Sequence, residues 1–176
     1  MPDFIPVISQ KDIQERIREI GKQITMDYKD KDLILVGILK GAFIFMADLC
    51  RQISIDHDID FIGASSYEGT SSTGQIVFTK QPDLEYKNRD ILLVEDIVDT
   101  GNTLCKIIDF IDLLNPRSVN ICTLIDKHER RKRKIDVQYA CFSLEKGFIV
   151  GYGLDYNEKY RNMPAIYDLK IEGDAP

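Results

Sequence analysis

The sequence lacks the patterns that define several common protein classes. No stretch approaches the roughly 18 consecutive apolar residues of a membrane-spanning helix, and the opening MPDFIPVISQ contains no basic segment followed by an apolar one. The four cysteines include no C-x-x-C pair, so a zinc site is not indicated. Neither the P-loop pattern nor the dinucleotide-binding pattern G-x-G-x-x-G occurs. We therefore expect a cytoplasmic protein with buried thiols, which is neither a P-loop NTPase nor a Rossmann dehydrogenase.

Positive charge is also scarce. The chain has 23 Lys and Arg against 29 Asp and Glu, which gives a formal net charge of −6. Nucleic acids and anionic membranes bind basic surfaces, so we expect neither as a partner. The 176 residues, 44% of them hydrophobic, are enough for one domain over 1–176 with a full core. A protein of this kind is expected to act on small molecules.

The spacing of apolar residues predicts alternating helices and strands. Isoleucines at helical spacing predict an amphipathic helix over 10–28, and two further helices are predicted over 42–53 and 102–114. Short runs of branched apolar residues predict strands at 33–39, 58–67, 90–95, 119–126, 137–144 and 148–154. This order predicts an α/β fold with a mainly parallel sheet flanked by helices. In such a fold, ligands bind beyond the carboxyl ends of the strands.

One of these strand ends carries an unusual number of carboxylates. In ILLVEDIVDTGNTL, Glu95, Asp96 and Asp99 lie within five positions of one another, where the strand turns into a helix. The backbone N–H groups of such a turn can hold a phosphate at the positive end of the helix dipole. A plain helix cap by Asp99 or Thr100 carries equal weight from spacing alone. The acidic pair before the turn favours a phosphate that arrives with Mg²⁺ or with sugar hydroxyls, because bare carboxylates repel phosphate.

This loop and its neighbours resemble a known family. VEDIVDTGNTL is similar to the phosphoribosyl-pyrophosphate signature of type I phosphoribosyltransferases, in which two acidic residues precede D-T-G-x-T. Five further segments fall in the order and spacing of the hypoxanthine-guanine phosphoribosyltransferase family, namely LKG (39–41), SSY (65–67), LIDKHERR (124–131), FIVGYGLDY (148–156) and YRNMP (160–164). The resemblance covers essentially the whole chain. It implies the type I phosphoribosyltransferase fold, with a small hood formed by the terminal segments.

The resemblance also implies a reaction and its donor site. Enzymes of this family transfer ribose 5-phosphate from phosphoribosyl pyrophosphate to hypoxanthine or guanine, giving IMP or GMP and pyrophosphate with Mg²⁺. The residues implied to bind the ribose and its 5′-phosphate are Glu95, Asp96, Asp99, Thr100, Gly101, Asn102 and Thr103. Those implied to bind diphosphate are Lys40, Gly41 and Arg161, and those implied to bind metal are Glu95, Asp96 and Asp155. The family match further implies a cis bond between Leu39 and Lys40, which the sequence alone does not show.

On the base side, the resemblance implies that Asp99 is the acid/base at purine N7. Lys127 matches the lysine that donates to the exocyclic O6, and it would face a donor if the base were adenine. Phe148 matches the aromatic that stacks on the base, and Ile149 matches the residue whose backbone contacts its edge. Asp155 is also implied to belong to the purine site. From periodicity alone, Phe148 would be a core residue, and Lys127 would be a solvated loop lysine.

The remaining implications concern mobility and assembly. The loop from Ser66 and Tyr67 to about residue 81 matches the lid that shields the reacting centre, and its EGTSSTGQ segment predicts a mobile loop. The family forms homodimers and homotetramers. His128 occupies a position where many members of the family carry proline. The first interpretation of the basic run RRKRK (130–134) is a solvated loop, and the second is a contact with pyrophosphate or a neighbouring subunit.

The sequence leaves two alternative functions open. Some relatives keep the fold and bind RNA, although the net charge of −6 opposes this here. The second alternative is a different base, because Lys127 speaks against adenine but does not rank hypoxanthine, guanine and xanthine.

Overall fold

The computed structural model describes residues 3–66 and 76–170. Its elements in chain order are β1 (Asp3–Ile8), α1 (Gln10–Asp27), β2 (Leu33–Leu39), α2 (Phe43–Cys50), β3 (Asp58–Ser66), β4 (Ile76–Lys80), β5 (Asp90–Val98), α3 (Asn102–Asp112), β6 (Ser118–Lys127), β7 (Tyr139–Leu144), β8 (Ile149–Val150) and β9 (Ile166–Lys170). Six strands form one sheet in the order β4-β3-β2-β5-β6-β7, and β1, β9 and β8 form a second.

The larger sheet is parallel from β3 to β7, with only β4 antiparallel at its edge. Successive side chains of a strand point to opposite faces, so β2 sends Leu33 and Leu35 to one side and Ile34 and Val36 to the other. The first side packs against α1 and α2, and the second against α3. Burial on both faces explains why the central strands read as continuous apolar runs.

Helix α1 shows how local sequence sets an element. Ser9 caps its start by accepting a hydrogen bond from the backbone N–H of Asp12 at 3.2 Å. The isoleucines that predict an amphipathic helix are all buried on one face, namely Ile13, Ile17, Ile20 and Ile24. The predicted helix over 10–28 is therefore confirmed to within one residue.

The smaller sheet joins the first strand of the chain to the last. β1 pairs antiparallel with β9, and β9 pairs antiparallel with β8. This antiparallel sheet is the predicted hood, and it carries Phe148 and Ile149 at its edge. The expected α/β fold is thus confirmed.

Several elements differ from the sequence prediction. The sequence pattern does not predict β1, β4 and β9. Pro6 interrupts the apolar run of β1, only three apolar residues begin β4, and β9 mixes apolar with charged residues. The predicted strand over 148–154 is wrong beyond Val150, since Gly151 and Gly153 adopt positive φ and turn the chain. β5 continues to Val98, so Glu95 and Asp96 lie inside the strand.

The thiols are all free, but only two of them are buried as predicted. Cys122 and Cys141 are buried, whereas Cys50 and Cys105 are half-buried. No helix in the described part of the chain combines the length and the apolar character needed to cross a membrane.

Candidate active site

The carboxyl ends of β2, β5 and β6 meet at one edge of the sheet and line two adjoining cavities. The first, of about 280 Å³, is lined by the β2 end and by the loop that leads into α3. The second, of about 190 Å³, lies between that loop, the end of β6 and the hood. Asp96, Ile97 and Asp99 line both cavities. A ligand that fills both would therefore pass over these three residues.

The loop from Asp99 to Thr103 leaves the start of α3 open. The N-cap position is Gly101, which has no side chain to cap the helix, and Oγ1 of Thr100 accepts only a long hydrogen bond, of 3.4 Å, from the backbone N–H of Asn102. The first N–H groups of a helix have no partner within it, so they are available to an anion at the positive end of the dipole. The alternative of a helix cap is therefore wrong for Asp99, whose carboxylate pairs with Arg130, while Thr100 makes one long contact of this kind. Thr100, Gly101 and Thr103 line the first cavity, and the exposed Asn102 begins the helix.

Gly101 is required by the geometry of this loop. Its φ is +78°, in the left-handed region, and a Cβ atom there would lie 2.5 Å from Cδ1 of Ile135. Residues that follow β6 therefore pack closely against this loop. The backbone N–H groups of Lys132 and Arg133 also donate to the carbonyl of Thr100, at 3.0 and 3.3 Å.

Glu95 and Asp96 form an adjacent acidic pair with little access to water. Burial, together with the neighbouring Asp96 carboxylate, raises the pKa of Glu95 well above its usual value. Burial likewise raises the pKa of Asp96, although the backbone N–H of Ile97 and the charge of Arg161 act in the opposite direction. Two carboxylates held this close gain from a cation or from hydroxyl donors.

Asp96 also packs against the end of β2. The peptide bond between Leu39 and Lys40 is cis, as the family resemblance implies. A Cβ atom on Gly41 would lie 1.8 Å from Oδ2 of Asp96, and one on Gly153 would lie 2.1 Å from the carbonyl oxygen of Gly41. Only glycines allow these three loops to approach so closely.

A second group of charges lies beside this contact. Glu158 bridges two cations, with its Oε2 2.9 Å from Nζ of Lys40 and its Oε1 3.5 Å from Nη2 of Arg161. Arg161 also contacts Oδ1 of Asp155 at 2.8 Å and donates to the carbonyl of Gly153 at 2.8 Å. The Nε of Arg161 is buried and has no hydrogen-bond partner in the described residues. This guanidinium keeps a donor available to an anion.

The second cavity combines an exposed ring with a buried cation. Phe148 is 46% exposed and meets Tyr156 edge to face, at 5.5 Å between ring centroids. Lys127 is only 5% exposed, and its Nζ lies 3.2 Å from Oε2 of Glu129. Ile149 and Asp155 also line this cavity. The interpretations from periodicity alone are therefore wrong for both Phe148 and Lys127, since the ring is available for stacking and the lysine is not solvated.

Asp99 has two different oxygen environments. Its Oδ2 accepts from Nη2 and Nε of Arg130 at 2.7 and 3.1 Å, while its Oδ1 is buried with no partner among the described residues. The neighbouring Arg131 binds the backbone, donating to the carbonyls of Asp99 and Val98 at 2.8 Å each. The first interpretation of the basic run, as a solvated loop, is therefore wrong for Arg131, whereas Arg130 is exposed but paired with Asp99. That interpretation holds for Lys132, Arg133 and Lys134, which are exposed.

Other contacts in the site carried no sequence signal. Asp168 of β9 accepts from the backbone N–H of Phe148 at 3.1 Å and so fixes the edge of the hood. The role of Glu158 was also missed, because it sits among other charges in DYNEKYR. The start of the implied lid, Ser66, ends β3. Tyr67 and the EGTSSTGQ segment lie outside the described residues.

The described side chains could hold the implied Mg²⁺ only if the substrate supplied some of its ligands. Among residues 3–66 and 76–170, no group of three or more His, Cys, Asp and Glu side chains is placed to hold an ion. Mg²⁺ commonly keeps several waters and takes one or two carboxylates together with substrate phosphates. Glu95 and Asp96 on one side and Asp155 on the other supply carboxylates of this kind.

The chain resembles known proteins over most of its length. The phosphoribosyl transferase domain family matches residues 9–157. The chain is 46% identical to a hypoxanthine phosphoribosyltransferase of Escherichia coli (strain K12), over 91% of this chain and 92% of that protein. It is 46% identical to a hypoxanthine-guanine phosphoribosyltransferase of Staphylococcus epidermidis, over 94% of this chain and 93% of that one.

A solved structure shows the same fold. The crystal structure of a hypoxanthine phosphoribosyltransferase from Staphylococcus aureus superposes with a TM-score of 0.91 at 42% identity, covering 97% of this chain and 94% of that chain. Sequence and fold thus agree, and the chain belongs to the phosphoribosyl transferase family, among the hypoxanthine(-guanine) phosphoribosyltransferases.

Proposed function

We propose that the protein is a purine salvage enzyme that converts hypoxanthine or guanine and phosphoribosyl pyrophosphate to IMP or GMP and pyrophosphate. The observation that carries this proposal is the junction of the two cavities at Asp99. A sugar phosphate fits the loop at the start of α3, and a planar base fits between Phe148 and Lys127. The bond between base and sugar would then form beside Asp99.

In the proposed reaction, N9 of the base attacks the anomeric carbon as the bond from that carbon to pyrophosphate breaks. Asp99 accepts the proton from N7, and the buried Oδ1, which has no partner in the described residues, supports this role. The transition state carries positive charge on the sugar, as in glycoside chemistry. Glu95 and Asp96 face the ribose hydroxyls, and Thr100, Gly101, Asn102 and Thr103 hold the 5′-phosphate.

Base selection is assigned to the second cavity. Lys127 donates to O6, and its burial makes an unmatched contact costly, because an amino group at this position would face the ammonium donor to donor. Phe148 stacks on the base and Ile149 contacts its edge through the backbone. Xanthine differs from the other 6-oxopurines at the 2-position, which Lys127 does not contact.

The diphosphate site is assigned to Lys40, Gly41 and Arg161. A planar guanidinium binds phosphate oxygens at two points, and the buried Nε of Arg161 with no described partner supports this assignment. Mg²⁺ would be held by Glu95 and Asp96 and, at a second position, by Asp155. When bound, it would neutralise the charge that develops on the pyrophosphate.

The proposal also covers the location and the assembly of the protein. We place the protein in the cytoplasm as one domain that forms a homodimer or homotetramer, without nucleic-acid or membrane partners. Its four free thiols fit a reducing compartment. A lid that begins at Ser66 and Tyr67 would close over the site.

The test is a steady-state comparison of four bases, namely hypoxanthine, guanine, xanthine and adenine, each with phosphoribosyl pyrophosphate and Mg²⁺. The proposal predicts turnover of hypoxanthine and guanine, and a kcat/KM for adenine lower by at least about 1,000-fold. Lys127→Gln supplies the matched variant, since an amide can donate to O6 or accept from an amino group. This variant should reduce the ratio of kcat/KM for hypoxanthine to kcat/KM for adenine by on the order of 100-fold.

Two results would overturn these assignments. Turnover of adenine above hypoxanthine by the unaltered protein would exclude the role of Lys127. Retention on RNA at physiological salt, lost as the salt is raised, would favour the RNA-binding alternative.

A further inference from the structure

Two consecutive arginines of the basic run contact the Asp99 loop in different ways. Among the described residues, the side chain of Arg130 binds only the Asp99 carboxylate, and it is 62% exposed. Arg131 instead donates to the backbone carbonyl of Asp99, and its side chain is only 16% exposed. A buried guanidinium needs several acceptors, so its partners indicate what it holds in place.

The acceptors of Arg131 come from two strand ends. Its Nε donates to the carbonyl of Asp99 at 2.8 Å, and its Nη2 lies 2.8 Å from the carbonyl of Val98. The same Nη2 lies 3.1 Å from the carbonyl of Lys127 and forms a close ion pair with Asp126. One side chain thus binds the residues at the end of β5 and the residues at the end of β6.

These contacts lie where the sheet itself stops holding the two strands together. The parallel register of β5 and β6 ends at the pair Val98 and Asp126. Asp99 and Lys127 come one position later, outside the paired register, so the ladder does not fix one against the other. Asp126 also has His128 nearby, with Nε2 of the ring 3.4 Å from its Oδ2.

We propose that Arg131 is a positioning residue that fixes Asp99 relative to Lys127, and thereby sets both proton transfer at N7 and recognition at O6. This inference rests on the proposed function. N7 and O6 are neighbours on one edge of a 6-oxopurine, so the two side chains must sit at a matched separation. A displacement of about 1 Å in such a pair can cost about 100-fold in rate.

The fork of the guanidinium is what this role requires. Nε and Nη2 point in fixed directions within one plane, so they can reach carbonyls on two strands at once. A lysine would keep the positive charge, and with it the ion pair to Asp126. It would offer only a point charge, and the backbone of Asp99 and Lys127 would no longer be held by the same group.

The experiment compares Arg131→Lys with Arg133→Lys and measures the affinity for three ligands by calorimetry. Arg133 lies in the same basic run, is exposed, and has no side-chain hydrogen bond among the described residues. The ligands are inosine 5′-monophosphate, adenosine 5′-monophosphate and ribose 5-phosphate. The first two differ at the 6-position that Lys127 contacts, and the third reports the phosphate loop alone.

For Arg131→Lys, we expect the affinity for inosine 5′-monophosphate to fall about tenfold, while the affinities for the other two ligands fall less than about threefold. The kcat for IMP formation should fall by on the order of 10- to 100-fold. Arg133→Lys should match the unaltered protein in every measurement. Asp126→Asn removes the ion-pair partner of Arg131. It should also lower the affinity for inosine 5′-monophosphate, by a smaller factor than Arg131→Lys.

The outcomes separate the two proposals. If the unaltered protein shows no preference for inosine over adenosine 5′-monophosphate, the proposed function fails and this inference with it. If that preference exists and Arg131→Lys keeps it, only the positioning role is excluded. Equal losses for all three ligands, with a lowered melting temperature, would mean that Arg131 serves the fold alone.

Discussion

Asp99 illustrates how much of this site depends on single atoms. One of its carboxylate oxygens is paired with Arg130, while the other is buried and has no partner in the described residues. An unpaired buried oxygen is costly for a structural carboxylate, but it is what a proton acceptor needs. The same spacing in sequence would have allowed a simple helix cap, and only the geometry of α3 separates the two.

For Asp99→Asn, we expect kcat to fall by about 100-fold to 10,000-fold, because an amide does not accept the N7 proton. The KM for phosphoribosyl pyrophosphate should change little, since the backbone of the loop is retained. Initial rates of IMP formation at varied donor concentration would measure both. An active Asp99→Asn variant would place the acid/base elsewhere.

Glu158 gives a second prediction for a single residue. Its carboxylate lies between Lys40 and Arg161, where the diphosphate is proposed to bind, and the hydrogen bond from Lys40 lowers the pKa of Glu158. A bound diphosphate must displace it, so Glu158→Gln should lower the KM for the donor, by about two- to fivefold for a pair this exposed. Glu85→Gln, which alters an exposed carboxylate with no described ion pair, is the matched control. An unchanged or raised KM in Glu158→Gln would contradict the competition.

The helices and strands show which parts of the fold a sequence reveals. β2, β5 and β6 were predicted well because burial on both faces leaves a continuous apolar run. β1 and β9 are harder to predict, because Pro6 interrupts the apolar run of β1 and both strands depend on pairing with a distant part of the chain. The contacts of Arg130 and Arg131 were missed for a related reason. A basic run looks the same in sequence whether it is solvated or folded against a neighbouring loop.

The start of α3 gives a prediction for an element. Gly101→Ala places a methyl group against Ile135 and strains a residue with φ of +78°, so the loop must shift. We expect a loss of about 1 to 2 kcal/mol in unfolding free energy and a higher KM for the donor, because the helix N–H groups move with the loop. Chemical denaturation and initial rates would measure the two effects.

A second variant tests the cause of that change. Ile135→Ala in the Gly101→Ala background removes the clash while leaving the backbone strain, so the KM should return part of the way towards its original value. A KM that stays high in the double variant would mean that strain at Gly101, rather than the contact with Ile135, displaces the loop.

For the whole molecule, buried thiols and phenols make stability depend on alkaline pH. Burial raises the pKa of Cys141 to about 12, and it also raises the pKa of Cys122, Tyr28, Tyr86, Tyr139 and Tyr152. The unfolded chain loses these protons near the ordinary values of about 8.5 for Cys and about 10 for Tyr. Between the ordinary and the raised values, the folded state binds more protons, so stability falls as pH rises.

We therefore expect the melting temperature to be highest below about pH 8.5 and to fall steadily towards about pH 10.5. Tyr152→Phe should reduce this slope, because it removes one of the raised phenols, even if it lowers the melting temperature at neutral pH. Thermal unfolding followed by circular dichroism across this range measures the effect. A melting temperature that is constant up to pH 10.5 would be inconsistent with burial as the cause of the raised values.

The two sheets bring the donor loops and the base cavity to a single edge, and the central claim is that a nucleotide forms there. This is tested by ³¹P NMR of the protein with hypoxanthine, phosphoribosyl pyrophosphate and Mg²⁺, with Asp99→Asn as the control of reduced activity. We expect pyrophosphate and IMP to appear in equal amounts as the donor disappears, and the Asp99→Asn variant to be slower by about 100-fold to 10,000-fold. Donor consumption without IMP, or release of phosphate in place of pyrophosphate, would contradict it.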